Sequence, residues 1–458
     1  MFLYDRARSL QGKFVMWGID PVVFTTTVLF ILGVVVWEND PKAFTTFLYA
    51  LTVSSPLWLP VFLVVIFWIT WIDYIRMRFW FSWTYVLLEI QLPQEVEKSP
   101  LAMETFLATI WNSGGETTLL HRIWRGTHRP VWALEIASNE GRISYYIHMR
   151  RDWRNIVEAR LYGQFPEAKI VEVDDYVAKI PFNLKQYSLH GSEYEKGNSN
   201  IGALPIKTYV DFKLDKNEDQ EYRVDPLTNV LELLGQVGPG EYYWFQIILK
   251  ARKSDEWYGF YSWSDKFMDD AKAEIKKIIQ LAAERAKSLT DDPQTQAQAA
   301  ARGLTLLTSG EKLRVEAIER SMAKPVFECG IRVIYLAEKE RFNGVNIAAM
   351  VRFFDTFRST GTAREYNSLG VIRANMNYNH LWQDFRGIRN NIERYRIFDK
   401  YKKRAYFYAP YDQEPIFLTT EEVATIWHFP SSIVQTPGLN RVAARRAEAP
   451  SNLPTLPT

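Results

Sequence analysis

The residue types that do chemistry are thinly spread in this chain. Its six histidines, at positions 121, 128, 148, 190, 380 and 428, form no HExxH and no close pair, so no ready-made metal face is present. The single cysteine, Cys329, excludes an intramolecular disulfide and a thiolate cluster within one chain, and suits a reducing compartment. The stretch nearest to a phosphate-binding loop is GLTLLTSGEKL, Gly303–Leu313. Its spacing departs from GxxxxGK[ST], and Glu311 would face the phosphate, so it reads instead as a helix start with Ser309 capping and Lys312 solvated. No GxSxG, kinase-type glycine loop or histidine–carboxylate metal spacing occurs. The expectation is a non-enzymatic protein with no catalytic residue, no cofactor and no metal.

Three basic clusters remain: HRIWRGTHR (His121–Arg129), KYKKRAYFYAP (Lys400–Pro410) and RVAARR (Arg441–Arg446). Each could meet nucleic-acid phosphates, and the first could equally meet anionic lipid. The whole chain carries 55 basic and 53 acidic residues, a net charge of +2, so nothing global favours DNA. Surface decoration or partner contact is the favoured reading, with the first cluster a linker between a helix and a strand.

The elements that must position these residues begin with a membrane end. Pro21 to Trp37 is uncharged and just long enough to cross a hydrocarbon core of ~30 Å. A signal peptide is the competing reading, but Glu38, Asn39 and Asp40 follow where small cleavage-site residues are needed. A second uncharged run, Ala43 to Ile72, predicts a crossing over 57–75, preceded by an interfacial lead-in broken at Pro56 and Pro60. Trp58, Trp68 and Trp71 suit an interfacial belt. Arg6, Arg8 and Lys13 before the first span, and Arg76 and Arg78 after the second, place both ends in the cytoplasm. Residues 1–82 therefore read as a helical hairpin anchor in membrane lipid.

The chain's 458 residues, 47% of them apolar, leave room for two further domains behind the anchor. Thr84–Pro93 reads as a strand, and Ser99-Pro100 opens a helix that ends at Gly114-Gly115. VWALEIAS and RISYYIHMR flank Asn139-Glu140-Gly141 as a hairpin, and a second helix and a last strand follow. That βαββαβ order predicts a ferredoxin-like plait over 83–178. A looser repeat predicts a second plait over 179–418: IKTYVDFKL as its first strand, Asp225-Pro226 opening its helix, and a helical insertion over 253–325. Residues 419–458 read as a short helix and a Pro-rich basic linker. The fold class is α+β: a transmembrane helical hairpin followed by two ferredoxin-like domains, the second with the insertion.

The two basic-flanked spans, YVLLEIQLPQEVEKSPLAMETFLATIWNSGGE, DPLTNVLELLGQVGPGEYYWFQIIL and LTTEEVATIWHFPSSIVQTPGLNRVAARRAEAPSNLP together resemble a known type of protein. It is the N-terminal membrane-anchored region of bacterial type IV secretion and conjugative DNA-transfer ATPases of the TraG/TraC and HerA-like kind. In longer members the Thr-Glu-Glu helix, His-Phe-Pro and Pro-rich basic stretch precede the motor domain, whereas this sequence stops there. The resemblance implies an inner-membrane, multi-pass, homo-oligomeric subunit that docks a separate P-loop ATPase, with the bulk of the chain cytoplasmic. It implies partner-docking residues in the closing stretch: Glu421, Glu422, Trp427, Phe429, Arg441, Arg445 and Arg446. The rival readings are a generic membrane scaffold and a nucleic-acid-handling module.

Overall fold

The computed structural model describes residues 21–93, 98–114, 120–197, 202–215, 225–253, 265–288, 307–359, 365–374, 384–408, 410–430 and 438–442. They fall into two compact units: one drawn from residues 1–80, 118–127 and 376–393, the other from the remainder.

The first unit is built on two helices, α1 (Pro21–Asn39) and α2 (Pro41–Phe81). Asp40 starts α2: its carboxylate accepts from the amides of Lys42 and Ala43 at 3.0 Å each, while Pro41 takes the position that needs no amide. At ~1.5 Å per residue, the 41 residues of α2 span roughly 60 Å, far more than a bilayer core. The expected break does not occur, because α2 runs straight through Pro56 and Pro60. Pro56 has no amide for the Thr52 carbonyl, and the Ser55 hydroxyl donates to that carbonyl instead at 2.7 Å. Among the described residues, α2 is the one helix both long and apolar enough to cross a membrane, and none of its most apolar window is buried. Within the 19 residues of α1, Thr27–Asn39 is a shorter apolar helical stretch. One of the two expected spans thus has a candidate helix among the described residues.

The second unit is mixed α+β, with a single ten-stranded sheet. Its first half contributes β1 (Tyr85–Pro93), α3 (Pro100–Ile110), β2 (Val131–Asn139), β3 (Arg142–Arg150), α4 (Arg154–Gln164) and β4 (Lys169–Val173). Ser99 caps α3, accepting from the Leu101 amide at 3.3 Å. The β2–β3 loop is the two residues Glu140 and Gly141, both at positive φ (55° and 88°), as a tight hairpin turn requires. β1 pairs with both β3 and β4, and β2 with β3, all antiparallel, giving the order β4-β1-β3-β2.

The second half contributes β5 (Tyr187–Lys196), α5 (Leu227–Gly235), β6 (Glu241–Ala251), α6 (Lys266–Ser288), α7 (Ser309–Met322), β7 (Val326–Glu338), α8 (Val345–Val351) and β8 (Leu369–Ala374). Its antiparallel order is β8-β5-β7-β6. The first strand is therefore β5, and IKTYVDFKL, expected as that strand, is a series of turns. The reason is side-chain anchoring: the Lys196 ammonium at the end of β5 binds the carbonyls of Gly202 and Leu204 and holds the following chain off the sheet. Helices α6 and α7 of the insertion pack on each other through Ala271, Ile278, Val315 and Ile318. Thr308, not Ser309, caps α7, in a reciprocal box with Glu311.

β2 and β6 pair antiparallel from Val131↔Lys250 to Asn139↔Tyr242, so the two halves share one sheet rather than forming separate cores. Strand residues alternate between its faces. Phe327, Cys329, Ile331 and Val333 of β7 join the core beneath α3, α4, α5 and α8, while Ile334 and Leu336 face the opposite side. That opposite side is covered by Tyr176, Val177 and α9 (Ile388–Lys402), through Ile397, Phe398 and Tyr401. Two last pieces close the unit. β9 (Ile416–Thr419) pairs with the start of β7, and it leads into α10 (Thr420–Ile426), which packs on α3.

Candidate functional site

Four neighbouring strands each place one polar side chain in a single row across the α9-covered face: Glu135 (β2), Gln246 (β6), Arg332 (β7) and Glu193 (β5). The sheet register sets them opposite one another. Gln246 donates from Nε2 to Glu135 at 2.7 Å and accepts from Arg332 at 3.2 Å, and Arg332 reaches Glu193 at 3.3 Å. Arg332 also donates to the carbonyls of Lys400 and Ala405, both at 3.0 Å, so it completes the carbonyl end of α9. Just past that helix, Arg404 adopts φ 51° and forks onto Glu135 at 3.0 and 3.2 Å while also pairing with Asp175. The remaining carboxylate oxygens are met by Tyr176, Lys400 and Gln413. A neighbouring row repeats the pattern: Arg129 and Lys250 both engage Glu328.

These contacts reassign two of the basic clusters. Lys400 and Arg404 of KYKKRAYFYAP, and His128 and Arg129 of HRIWRGTHR, are buried. A guanidinium committed to a buried carboxylate is unavailable to DNA phosphate, so direct DNA contact loses that support. The other half of HRIWRGTHR is a turn of π-helix, His121–Arg125, within the first unit. There Trp71 donates from its indole nitrogen to the Ile123 carbonyl at 3.0 Å and meets the Trp124 ring edge-on at 5.7 Å. Gly126, at φ 67°, lies so close to the Ile75 carbonyl that an added Cβ would sit 2.3 Å from it.

The residues expected to dock a partner lie mostly in the interior. Every residue from Leu418 to Pro430 is buried, including Glu421, Glu422, Trp427 and Phe429. Glu422 closes the capping box on Thr419, accepts from the Ile206 amide at 3.0 Å and pairs with Lys196 at 2.9 Å. Glu421 pairs with Lys324 at 2.7 Å and Arg320 at 3.2 Å. Trp427 and Phe429 pack edge-on against Tyr145, and Phe429 also against Phe165. These four side chains hold the fold together and are not a presented surface. The helix is short, and each buried carboxylate is matched by a cation from a distant part of the chain, which local patterning does not reveal.

His428 ends this segment in a pair with Asp225, Nε2 to carboxylate at 3.1 Å, while Nδ1 faces the carbonyls of Ala424 and Thr425. Burial works most strongly against the charged imidazolium. The Asp225 carboxylate and the two carbonyls outweigh it and raise the His428 pKa, while Asp225 is lowered. Asp225 at the same time accepts from the Leu227 amide at 2.9 Å and so opens α5, the role its place before Pro226 predicts.

Beyond the undescribed residues 431–437, the chain reappears as β10 (Arg441–Val442), parallel to the end of β1. Ile143 and Gly438 share a backbone hydrogen bond at 2.7 Å. Arg441 is half-buried there, and Arg445 and Arg446 lie outside the described residues. Of the interfacial residues, Trp58 (42% exposed), Trp68 (48%) and Arg78 are exposed, and Trp71 and Arg76 are half-buried.

Among the described residues no group of His, Cys, Asp and Glu is placed to hold a metal. A shallow groove runs along α6 past Lys272, Ile275, Lys276, Ile279 and Gln280, and presents no carboxylate, hydroxyl or imidazole. Fold and site together define a mixed α+β protein with one antiparallel sheet, buried ionic networks and a candidate membrane-crossing helix. No protein-family description matches this chain, and no curated protein matches it.

Proposed function

We propose that the chain is a non-enzymatic, membrane-anchored platform that positions a separate P-loop ATPase, in a system of the type IV secretion or conjugative DNA-transfer kind. In this reading α1 and α2 form the hairpin anchor in a bacterial inner membrane. The two halves of the sheet, with their matching element order, are ferredoxin-like plaits carried on its cytoplasmic side. The homo-oligomeric state belongs to the same reading.

The observation that carries it is how the closing segment is rooted. Thr419–Pro430 is locked into the core by ion pairs to Lys196, Arg320 and Lys324, and the chain then rejoins the sheet at Gly438–Val442. A segment held that firmly gives the basic stretch from Arg441 a rigid root, which is what transmitting position to a motor requires. The 458 residues contain no phosphate-binding loop, so the nucleotide chemistry in this proposal belongs to the partner.

The test is affinity purification of the full chain from membranes, with ATP hydrolysis measured in the eluate. An ATP-hydrolysing partner is expected, and it should be lost when Arg441, Arg445 and Arg446 are all changed to Glu while the chain stays folded. Eluates with no nucleotide hydrolase would support a general scaffold instead. Salt-dependent DNA retention without a hydrolase would support the nucleic-acid module.

A further inference from the structure

Resting on the membrane reading above, we propose that the turn Leu120–Arg125, beside α2, is an interfacial anchor that binds acidic phospholipid headgroups.

The turn is held rigidly and yet displays what a soluble surface normally hides. Trp71 clamps it to α2 through the Ile123 carbonyl, and Gly126 lets the backbone pass close to the Ile75 carbonyl. Leu120 is nevertheless 66% exposed and Trp124 62% exposed, and the Arg125 guanidinium beside them is exposed too. The same compact unit adds Ile388 and Ile392, one helical turn apart and 54% and 58% exposed. On α2 itself the exposed Arg78 follows Trp71 and Ile75.

The identity of the occupant follows from continuity and charge. The clamp grips the last third of a helix whose apolar side chains, such as Val61, Phe62 and Phe67, are bare over several turns. Where such a helix leaves the hydrocarbon, an adjoining indole, a leucine and arginines sit at headgroup depth, the level at which tryptophan partitions best. Each basic residue near an acidic leaflet adds about fivefold to affinity, so the arginines select acidic over zwitterionic lipid. A rigid turn loses little conformational entropy on insertion, unlike a tail that must order itself.

The experiment uses the full chain, whose one cysteine, Cys329, is fully buried and so leaves introduced thiols uniquely reactive. Leu120→Cys carries a polarity-sensitive fluorophore. Phe62→Cys on α2 serves as the hydrocarbon reference and Leu313→Cys on α7 as the water reference. Each is reconstituted in vesicles of phosphatidylcholine, with and without phosphatidylglycerol, and probed with headgroup-level and chain-level quenchers. The expected result is a blue-shifted label at 120 that headgroup-level quenchers reach. The shift should strengthen with phosphatidylglycerol and weaken several-fold in Arg125→Glu with Arg78→Glu. Continued silence of Cys329 towards thiol reagents shows that each variant is folded.

A label at 120 as wet as the one at 313, with the label at 62 deep, overturns this proposal and leaves the membrane anchor standing. A wet label at 62 overturns both. Equal insertion in pure phosphatidylcholine overturns the acidic-headgroup claim. A shift seen only after adding DNA or a second protein assigns the turn to that partner instead.

Discussion

The Arg404 guanidinium grips both oxygens of the Glu135 carboxylate, at 3.0 and 3.2 Å, from a backbone held at positive φ. One contact joins the loop after α9 to a strand 269 residues earlier in the chain, and both side chains are almost wholly buried. Removing the guanidinium leaves the buried Glu135 charge with only the neutral donors Gln246 and Tyr176. Arg404→Ala should cost about 3–5 kcal/mol, the usual penalty for breaking a buried pair. Arg404→Gly should be less harmful by roughly 1 kcal/mol, because glycine accepts the backbone conformation without strain. Guanidinium unfolding of the full chain in detergent measures both. Equal stability of the two variants would show that the positive φ is unstrained.

Stability should depend on pH through the His428–Asp225 pair, and the sign is fixed. His428 is raised in the folded protein, so its contribution is complete below the ordinary histidine value of 6.5 and disappears as pH rises through the folded value. Asp225 is lowered, so its contribution is present above 3.8 and is lost as pH falls through its folded value. Asp225→Asn removes the carboxylate and leaves burial dominant. His428 then prefers to be neutral, and its contribution to stability should rise with pH across the histidine range where in the parent it falls. Urea midpoints at a series of pH values check the reversal of slope.

Gly438 admits no side chain, because an added Cβ would lie 1.9 Å from the Gly141 carbonyl oxygen. Gly438→Ala should push the 438–442 segment off β1 and β3 while leaving the rest of the sheet paired. Amide exchange should accelerate at Asn440 and Ile143, which bond each other at 3.1 Å, and remain slow in β6 and β7.

Trp71→Phe keeps a ring against Trp124 but deletes the donor to the Ile123 carbonyl. A hydrogen bond of this kind contributes about 1 kcal/mol, so the turn should open roughly fivefold more often. Trypsin cleavage after Arg125 under native conditions reads that opening directly.

Cys329 should react with thiol reagents only on unfolding. It is fully buried beneath the sheet, and burial raises its pKa well above the usual thiol value, which suppresses the reactive thiolate. Labelling rates across a denaturant series should follow the loss of native structure. Fast labelling in native buffer would contradict the packing around β7.

Much of this architecture is legible in the sequence. Ser99-Pro100, Asp225-Pro226 and Asn139-Glu140-Gly141 mark helix starts and a hairpin by purely local chemistry, and the structure uses each of them so. β5 is not legible, because YSLHGSEYEK carries Glu193 and Lys196, charges that belong inside only once Arg332, Lys400 and Glu422 arrive from far along the chain. IKTYVDFKL has better strand composition. Its Tyr209 is instead fixed by the Thr425 hydroxyl on α10 and by Glu104 on α3. α9 escapes notice for a similar reason. Its polar, arginine-rich first half hides the short apolar face of Ile397, Phe398 and Tyr401 that seals the sheet. The docking role given to Glu421, Glu422, Trp427 and Phe429 reads acidic and aromatic residues as a surface when their partners are interior.

The pairing of β2 with β6 has a consequence for assembly. These strands hold the same position in the two halves, and they run antiparallel with Glu135 and Gln246 opposite each other at the midpoint. That is the geometry of an isologous dimer, its pseudo-dyad passing between two side chains, but written into one polypeptide. Two halves of matching strand order thus meet edge to edge within a single polypeptide. The β2 and β6 edges are therefore paired with each other, and the terminal strands β4 and β8 are left as the outer borders of the shared sheet.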